Sequence, residues 1–391
     1  PKAIIVPERI YHEVGSVQYL EKLPNVERVM IVTDRMMVQL GYVEKLEYHL
    51  RKRSNPVMIE LFADVEPDPS VDTVLNGAEA MRKFKPDTII ALGGGSAMDA
   101  AKIMWLMYEH PEANFEDMAM DFMDIRKRVF TFPKMGEKAY FVAIPTSSGT
   151  GSEVTPFAII TDAETGVKWP IADYELLPNM AIVDVDNMMT QPKGLTSASG
   201  IDVMTHAIEA YVSTDANPLT DAAALMAITM ITQYLPKAVA NGTYIKARDK
   251  MAYGQYLAGI AFNNASLGYV HAMAHQLGGF YNLPHGVCNA ILLPHVEEFN
   301  LIGNANRFRD IAKATGENID GLSTMDAARK AIAAIRQISE QVGIPKNLRE
   351  LGVKEEDFGI MAENAMKDVC QLTNPRKATK EQVIGIFKAA Y

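Results

Sequence analysis

Apolar positions along the chain follow two different periods, and the change falls near its middle. Up to about residue 187, short continuous apolar runs alternate with helical patterns: VMIVTD (29–34), VMIELF (57–62), TIIALGGGS (88–96), YFVAIPT (140–146) and MAIVDVD (180–186). Runs of this kind, ending in Gly, Asp or Thr, are what strands look like when helices cover both faces of their sheet. The first half is therefore predicted as an α/β layer with a mostly parallel sheet. Beyond residue 190 the strand runs stop, and three- and four-residue apolar spacing takes over. In STMDAARKAIAAIRQISEQVGIP, Ser323 can cap, Ala328, Ile332, Ile335, Ile338 and Val342 form one stripe, and Gly343 and Pro345 stop the helix. The second half is predicted to be all helix. The small and polar residues of DNMMTQPKGLTSASG (186–200) are the predicted linker, giving domains of 1–187 and 188–391. No internal repeat or low-complexity segment interrupts them.

Bulk composition narrows the function classes. A chain of 391 residues is too long for one ordinary core and agrees with two domains. A formal charge of −10, from 38 basic and 48 acidic residues, leaves no electrostatic footprint for nucleic acid or an anionic membrane, so neither is an expected partner. Cys288 and Cys370 are the only cysteines. No disulfide framework or zinc-finger spacing follows from them, and a reducing cytoplasm is the expected compartment. The runs IMWLMY and AYFVAIP are far shorter than the ~20 residues of a membrane span, and PKAIIVPERIY does not read as a signal peptide, so a soluble, untargeted chain is expected.

Three stretches carry chemistry. In ALGGGSAMDAAK (91–102) a buried strand runs into three glycines and a helix beginning near Ser96, which presents bare N–H groups and a positive helix end to an anion such as a pyrophosphate. A tight turn without a ligand is the plainer alternative, since the G-x-G-x-x-G fingerprint is absent. IPTSSGTGSE (144–153) also follows a strand and adds hydroxyls that could line the same cofactor. Asp34 ends VMIVTD at the first strand–helix turn, where an acidic group can take the hydroxyls of an adenosine ribose or simply cap the next helix.

A further stretch is the densest. HAMAHQLGGFYNLPHGVCNAILLPH (271–295) holds four of the eight histidines, and GIDVMTHAIEAY (200–211) places Asp202 and His206 four residues apart on one helix face. Asp202, His206, His271 and His285 would give one carboxylate and three imidazoles from three segments, a donor set for Fe(II) or Zn(II). His275, about a turn from His271, is then spare and could relay a proton. His295 reads as structural, and His12, His49 and His110 receive no role.

In GGGSAMDAAK, PTSSGTGSEVT, GIDVMTHAIEAYVS and the histidine-rich stretch, the sequence resembles the iron-containing (group III) alcohol dehydrogenases, and the likeness extends over essentially its whole length. The resemblance implies an N-terminal α/β dinucleotide-binding domain and an all-helical C-terminal metal-binding domain. It puts the metal on Asp202, His206, His271 and His285, with His275 as the catalytic histidine. NAD(H) would be held by Asp34, Asp68, Gly93, Gly94, Gly95, Ser96, Thr146, Ser147, Thr150 and Lys168. Asp68 stands where many members have Asn. Phe157, Phe262 and Leu267 would line an apolar substrate pocket, and a homo-oligomer, a dimer or larger, is expected. The implied reaction interconverts short-chain primary alcohols and aldehydes of the ethanol type. One divalent metal, Fe(II) or Zn(II), acts on the alcohol oxygen as a Lewis acid, and hydride passes to NAD.

Residues 1–186 look most like the alcohol dehydrogenase part of the bifunctional aldehyde–alcohol dehydrogenases, notably in DVEPDPSVDT and EDMAMDFMDIRKRVFTFP. The remainder looks like stand-alone ethanol-type members, as a join of two lineages at the domain boundary or ordinary divergence would each produce. Two other functions compete. A metal- and NAD-dependent lyase of the dehydroquinate synthase type would need basic residues around the metal, and AFNNASLGYVHAMAH supplies none. A non-catalytic assembly module would have no use for a complete ligand set.

Overall fold

The structure is a computed structural model that describes residues 3–118, 132–164, 166 and 168–391. Most of EDMAMDFMDIRKRVFTFP lies outside them. The N-terminal unit comprises residues 5–147 and 151–190; Gln191–Tyr391 with Ser148–Thr150 belongs to the other.

The N-terminal unit runs β1 (Arg9–His12), β2 (Arg28–Val32), α1 (Arg35–Gln39), α2 (Tyr42–Arg51), β3 (Met58–Phe62), α3 (Val71–Phe84), β4 (Thr88–Gly93), α4 (Gly95–Glu109), α5 (Phe115–Met118), β5 (Tyr140–Pro145), β6 (Phe157–Thr161), β7 (Lys168–Ala172) and β8 (Met180–Val183). Six strands form one sheet in the order β1-β8-β5-β4-β2-β3, every pair parallel. The predicted burial on both faces is visible residue by residue in the interior strands, whereas VMIELF supplies the edge strand β3 and is largely exposed. Val29, Ile31, Ile90, Leu92, Val142 and Ile144 enter one core with Leu46 and Leu50 of α2. Met30, Val32, Ile89, Ala91, Phe141 and Ala143 enter a second core with α3 and α4.

Three strands depart from the expectation. β1 carries no apolar run, and β6 and β7 form an antiparallel hairpin outside the main sheet. The strand order also reverses direction: from β2 the chain goes outward to β3, then crosses back to β4, β5 and β8. The crevice at the carboxyl ends of β2 and β4 is the switch point where open α/β sheets bind ligands.

The C-terminal unit is helical: α6 (Lys193–Val212), α7 (Pro218–Ala240), α8 (Ile245–Ala265), α9 (Tyr269–Tyr281), α10 (His285–Asn300), α11 (Ala305–Ala314), α12 (Thr324–Gln341), α13 (Phe358–Ala365) and α14 (Lys380–Ala390). α12 matches the sequence reading closely, with the Ser323 hydroxyl accepting from Asp326 N. The predicted linker needs correcting, because α6 begins inside it at Lys193. Gly200 explains why: a Cβ there would lie 2.3 Å from Leu235 Cδ1, so small residues that read as linker allow close α6–α7 packing. By length and apolar composition α7 could cross a membrane, but Ala224, Ala227, Ile228, Ile231 and Leu235 are buried and it packs on α6 and α8 as a core helix does.

Candidate metal centre and cofactor crevice

Helix period places the metal-centre donors. Asp202 and His206 lie one turn apart on α6, His271 sits in the first turn of α9, and His285 opens α10 after Asn282 turns the chain in a left-handed conformation, φ 52°. The Nε2 atoms of His206, His271 and His285 stand 3.7, 3.6 and 3.6 Å from Asp202 Oδ1, and all four donors lie within 4.8 Å of one another. These gaps are too long for hydrogen bonds. They approach the ~3.4 Å edge of a tetrahedron built on metal–ligand bonds of about 2.1 Å, so the donor set fits one divalent cation.

The four groups are strongly coupled electrostatically. Burial alone would raise the Asp202 carboxyl, but His206, His285 and His271 hold it far below the ordinary carboxylate range. Burial brings His206 down to about 3, against the pull of Asp202, which keeps a neutral lone pair available. Burial also opposes a charge on His271, yet Glu209 and Asp202 outweigh it and push that group up to about 9.

Three supporting residues were missed by the sequence reading. Glu209, seven residues after Asp202 on α6, accepts from His271 Nδ1 and from Val270 N, so Nε2 of His271 is turned toward the other donors. The 202, 206, 209 spacing was a readable signal for it. Asn289, one turn after His285, places its amide nitrogen 2.6 Å from Asp202 Oδ1. Asp368 Oδ2 accepts from His275 Nδ1 at 2.7 Å, while its Oδ1 accepts from Cys370 N at 2.9 Å. Burial would raise the Asp368 carboxyl, but the neighbouring His275 keeps it below its ordinary value. No local spacing announces Asp368. His275 is partly exposed and its ring lies 5.9 Å from that of His285. Phe262 stacks on His206 at 4.4 Å, and Leu267 is half-buried in the same unit; Phe157 begins β6 in the N-terminal one.

The remaining histidines have ordinary partners. His49 pairs with Glu21, His110 with Glu112 and the Lys134 carbonyl, and burial lowers half-buried His295. His12 ends β1 at the surface.

In the N-terminal unit Asp34, Gly93 to Ser96, Thr146 and Ser147 gather at the switch point. Gly93 has φ 146°, open to glycine, and a Cβ there would stand 2.8 Å from Ala97 Cβ and 3.7 Å from Asp34 Oδ2. Gly94 caps α4, Gly95 and Ser96 form its first turn, Thr146 N donates to Gly93 O, and the Ser147 hydroxyl would meet a Cβ on Gly94 at 3.4 Å. Asp34 Oδ1 accepts from Met37 N and caps α1, so the capping role foreseen for it is present. Asp68, at φ 51°, lies 4.0 Å from Lys168 Nζ; Asn and Asp are the side chains that tolerate this backbone region. Thr150 is exposed and groups with the C-terminal unit.

Sequence reasoning also passed over Asp99 and Lys102, which brace the loop after β5. Fully buried Lys102 Nζ donates among the carbonyls of Ser152, Thr155 and Phe157 and the Ser152 hydroxyl, at 2.8–3.0 Å. Asp99 accepts from Ser152 Oγ and Ile159 N. Burial lowers Lys102 to about 8, and it raises Asp99 to about 6 despite the nearby ammonium.

Comparisons agree with this geometry. The iron-containing alcohol dehydrogenase family model matches residues 7–185, and the C-terminal model of the Fe-containing alcohol dehydrogenase family matches 196–391. An aldehyde-alcohol dehydrogenase of Streptococcus pneumoniae is 45% identical over 404 residues, spanning 99% of this chain and both its halves but 45% of that protein. The chain thus spans about half the length of the bifunctional relatives it matches. A 1,3-propanediol dehydrogenase of Klebsiella pneumoniae is 46% identical over 367 residues, covering 93% of this chain and 92% of its own. A crystal structure of 1,3-propanediol oxidoreductase superposes with a TM-score of 0.94 at 43% identity over 100% of both chains.

Proposed function

The chain belongs to the iron-containing alcohol dehydrogenase family, and on that premise we propose that it interconverts short-chain primary alcohols and aldehydes, ethanol and acetaldehyde among them, with NAD(H). The observation that carries this reading is the convergence of Asp202, His206, His271 and His285 beside a histidine that is not needed as a ligand. Fe(II) or Zn(II) held there would supply Lewis-acid polarisation of the substrate oxygen, and NAD(H) bound at the switch point would supply the redox step.

The chain's own residues do the rest. Glu209 fixes the tautomer of His271, so its Nε2 lone pair serves the metal. Asp368 fixes His275 through Nδ1, which leaves Nε2 to accept the hydroxyl proton during oxidation and return it during aldehyde reduction. Gly93 to Ser96 offer backbone N–H groups to the pyrophosphate; Asp34, Asp68, Thr146, Ser147 and Lys168 complete the cofactor contacts within the N-terminal unit. Asp34 Oδ2 takes no part in the helix cap and is the atom offered to the ribose. Phe262 and Leu267 give an apolar wall, where one methylene is worth about 1–3 kcal/mol, so small primary alcohols are favoured over polyols.

The test is NADH formation by the Fe(II)- and Zn(II)-loaded protein with ethanol, 1-propanol, 1,3-propanediol and glycerol. Higher kcat/KM for the monohydric alcohols supports the reading. A preference for 1,3-propanediol would move the substrate toward that of the Klebsiella relative, and a preference for glycerol would refute the apolar pocket.

A further inference from the structure

Asn289 is wholly buried, and its two amide atoms fare differently. Nδ2 stands 2.6 Å from Asp202 Oδ1, 2.9 Å from His285 Nε2 and 3.2 Å from His271 Nε2. Oδ1 is buried with no hydrogen-bond partner. An unsatisfied buried carbonyl costs roughly 1–3 kcal/mol, and a leucine of similar volume would fill the space without that cost. A side chain kept for packing alone has no reason to carry this amide. Its N–H₂ end is the part that meets other groups, and those groups are three of the four donors.

We infer that Asn289 is a positioning residue of the metal centre, its amide nitrogen holding the Asp202 carboxylate in the orientation that the cation requires. This rests on the reading of Asp202, His206, His271 and His285 as metal ligands. The helix makes the placement economical: Asn289 lies one turn after His285 on α10, so one rigid element presents a ligand and braces the ligand contributed by α6. Without the brace, Asp202 keeps its charge and loses the hydrogen bond that selects one rotamer. Loss of such an outer partner typically weakens metal affinity 10–100-fold.

The experiment titrates metal-stripped wild type, Asn289→Leu and Asn289→Ala with Zn(II) against a competing chromophoric chelator, and records the visible spectrum of each Co(II) form. Both variants are expected to bind Zn(II) about 10–100-fold more weakly, with altered Co(II) bands. Zn(II) affinity within about threefold of wild type and an unchanged Co(II) spectrum in both variants would overturn the role of Asn289 and leave the four ligands standing. Failure of wild type itself to take up either ion would overturn the ligand assignment, and this inference with it. Should the leucine variant not fold, the alanine variant decides by the same two readouts.

Discussion

Asp368→Asn separates the orientation of His275 from its chemistry. The substitution keeps the shape of the side chain and removes its charge at a buried position, where Oδ2 accepts from His275 Nδ1 at 2.7 Å. A hydrogen bond to a charged acceptor contributes about 1.5–3 kcal/mol and a neutral one roughly half as much, so about 1–2 kcal/mol of orienting energy is lost. At about 1.4 kcal/mol per decade, kcat should fall roughly 5- to 30-fold. The amide can also present its NH₂ to Nδ1, which stabilises the tautomer with the proton on the wrong nitrogen. The assay is steady-state NADH formation at saturating alcohol and NAD, with metal content measured on the same sample and expected to stay at the wild-type value. Because Asp368 acts through His275, the double variant Asp368→Asn/His275→Ala should be no slower than His275→Ala alone. An unchanged kcat in Asp368→Asn, or losses that multiply in the double variant, would refute the coupling.

Three further outcomes are expected. His285→Ala should lose both metal and activity while His275→Ala keeps the metal and loses rate; elemental analysis showing the reverse would exchange their roles. Asp34→Gly should raise kcat/KM with NADP(H) at least tenfold, about 1.4 kcal/mol, with only a few tenths of a kcal/mol lost in folding because glycine is itself an acceptable N-cap; an unchanged cofactor preference would leave Asp34 with its cap alone. Asp99 titrates near 6 when folded against 3.8 as its ordinary value, so its contribution is fully present below pH 3.8 and is lost as pH rises through 6. Relative to Asp99→Asn, wild-type unfolding free energy should decline by up to roughly 3 kcal/mol across that window in denaturant titrations and then level off; a difference that grows with pH would contradict the burial argument.

Strands buried on both faces and helices with caps were legible because a single local rule governs each. The four interior strands β2, β4, β5 and β8 needed only apolar runs, which also marked the edge strand β3 although it is largely exposed, and α12 needed only Ser323, its stripe and Gly343. The opposite edge strand and the outlying hairpin were not, since β1 reads Arg-Ile-Tyr-His and β7 contains Pro170, neither with a continuous apolar face. The start of α6 was hidden by tertiary packing, where Ala198, Ser199 and Gly200 meet close neighbours and size counts for more than propensity. Among the site residues, donors with metal-binding side chains at helical spacing stood out. Asn289 and Asp368 did not, because an amide and a distant carboxylate acquire meaning only from what the fold brings beside them.

The placement of the four donors on three helices has a thermodynamic consequence. Both cysteines are free, so no covalent bond ties α6, α9 and α10 together, and a cation shared among them acts as a reversible cross-link. By linkage, an ion that binds only the folded form at a thousand times its dissociation constant adds about 4 kcal/mol to stability, a sizeable share of what holds an ordinary domain folded. The melting temperature of the helical unit should therefore track the logarithm of free metal concentration, so that scarcity of the ion limits the lifetime of the folded enzyme as well as its turnover.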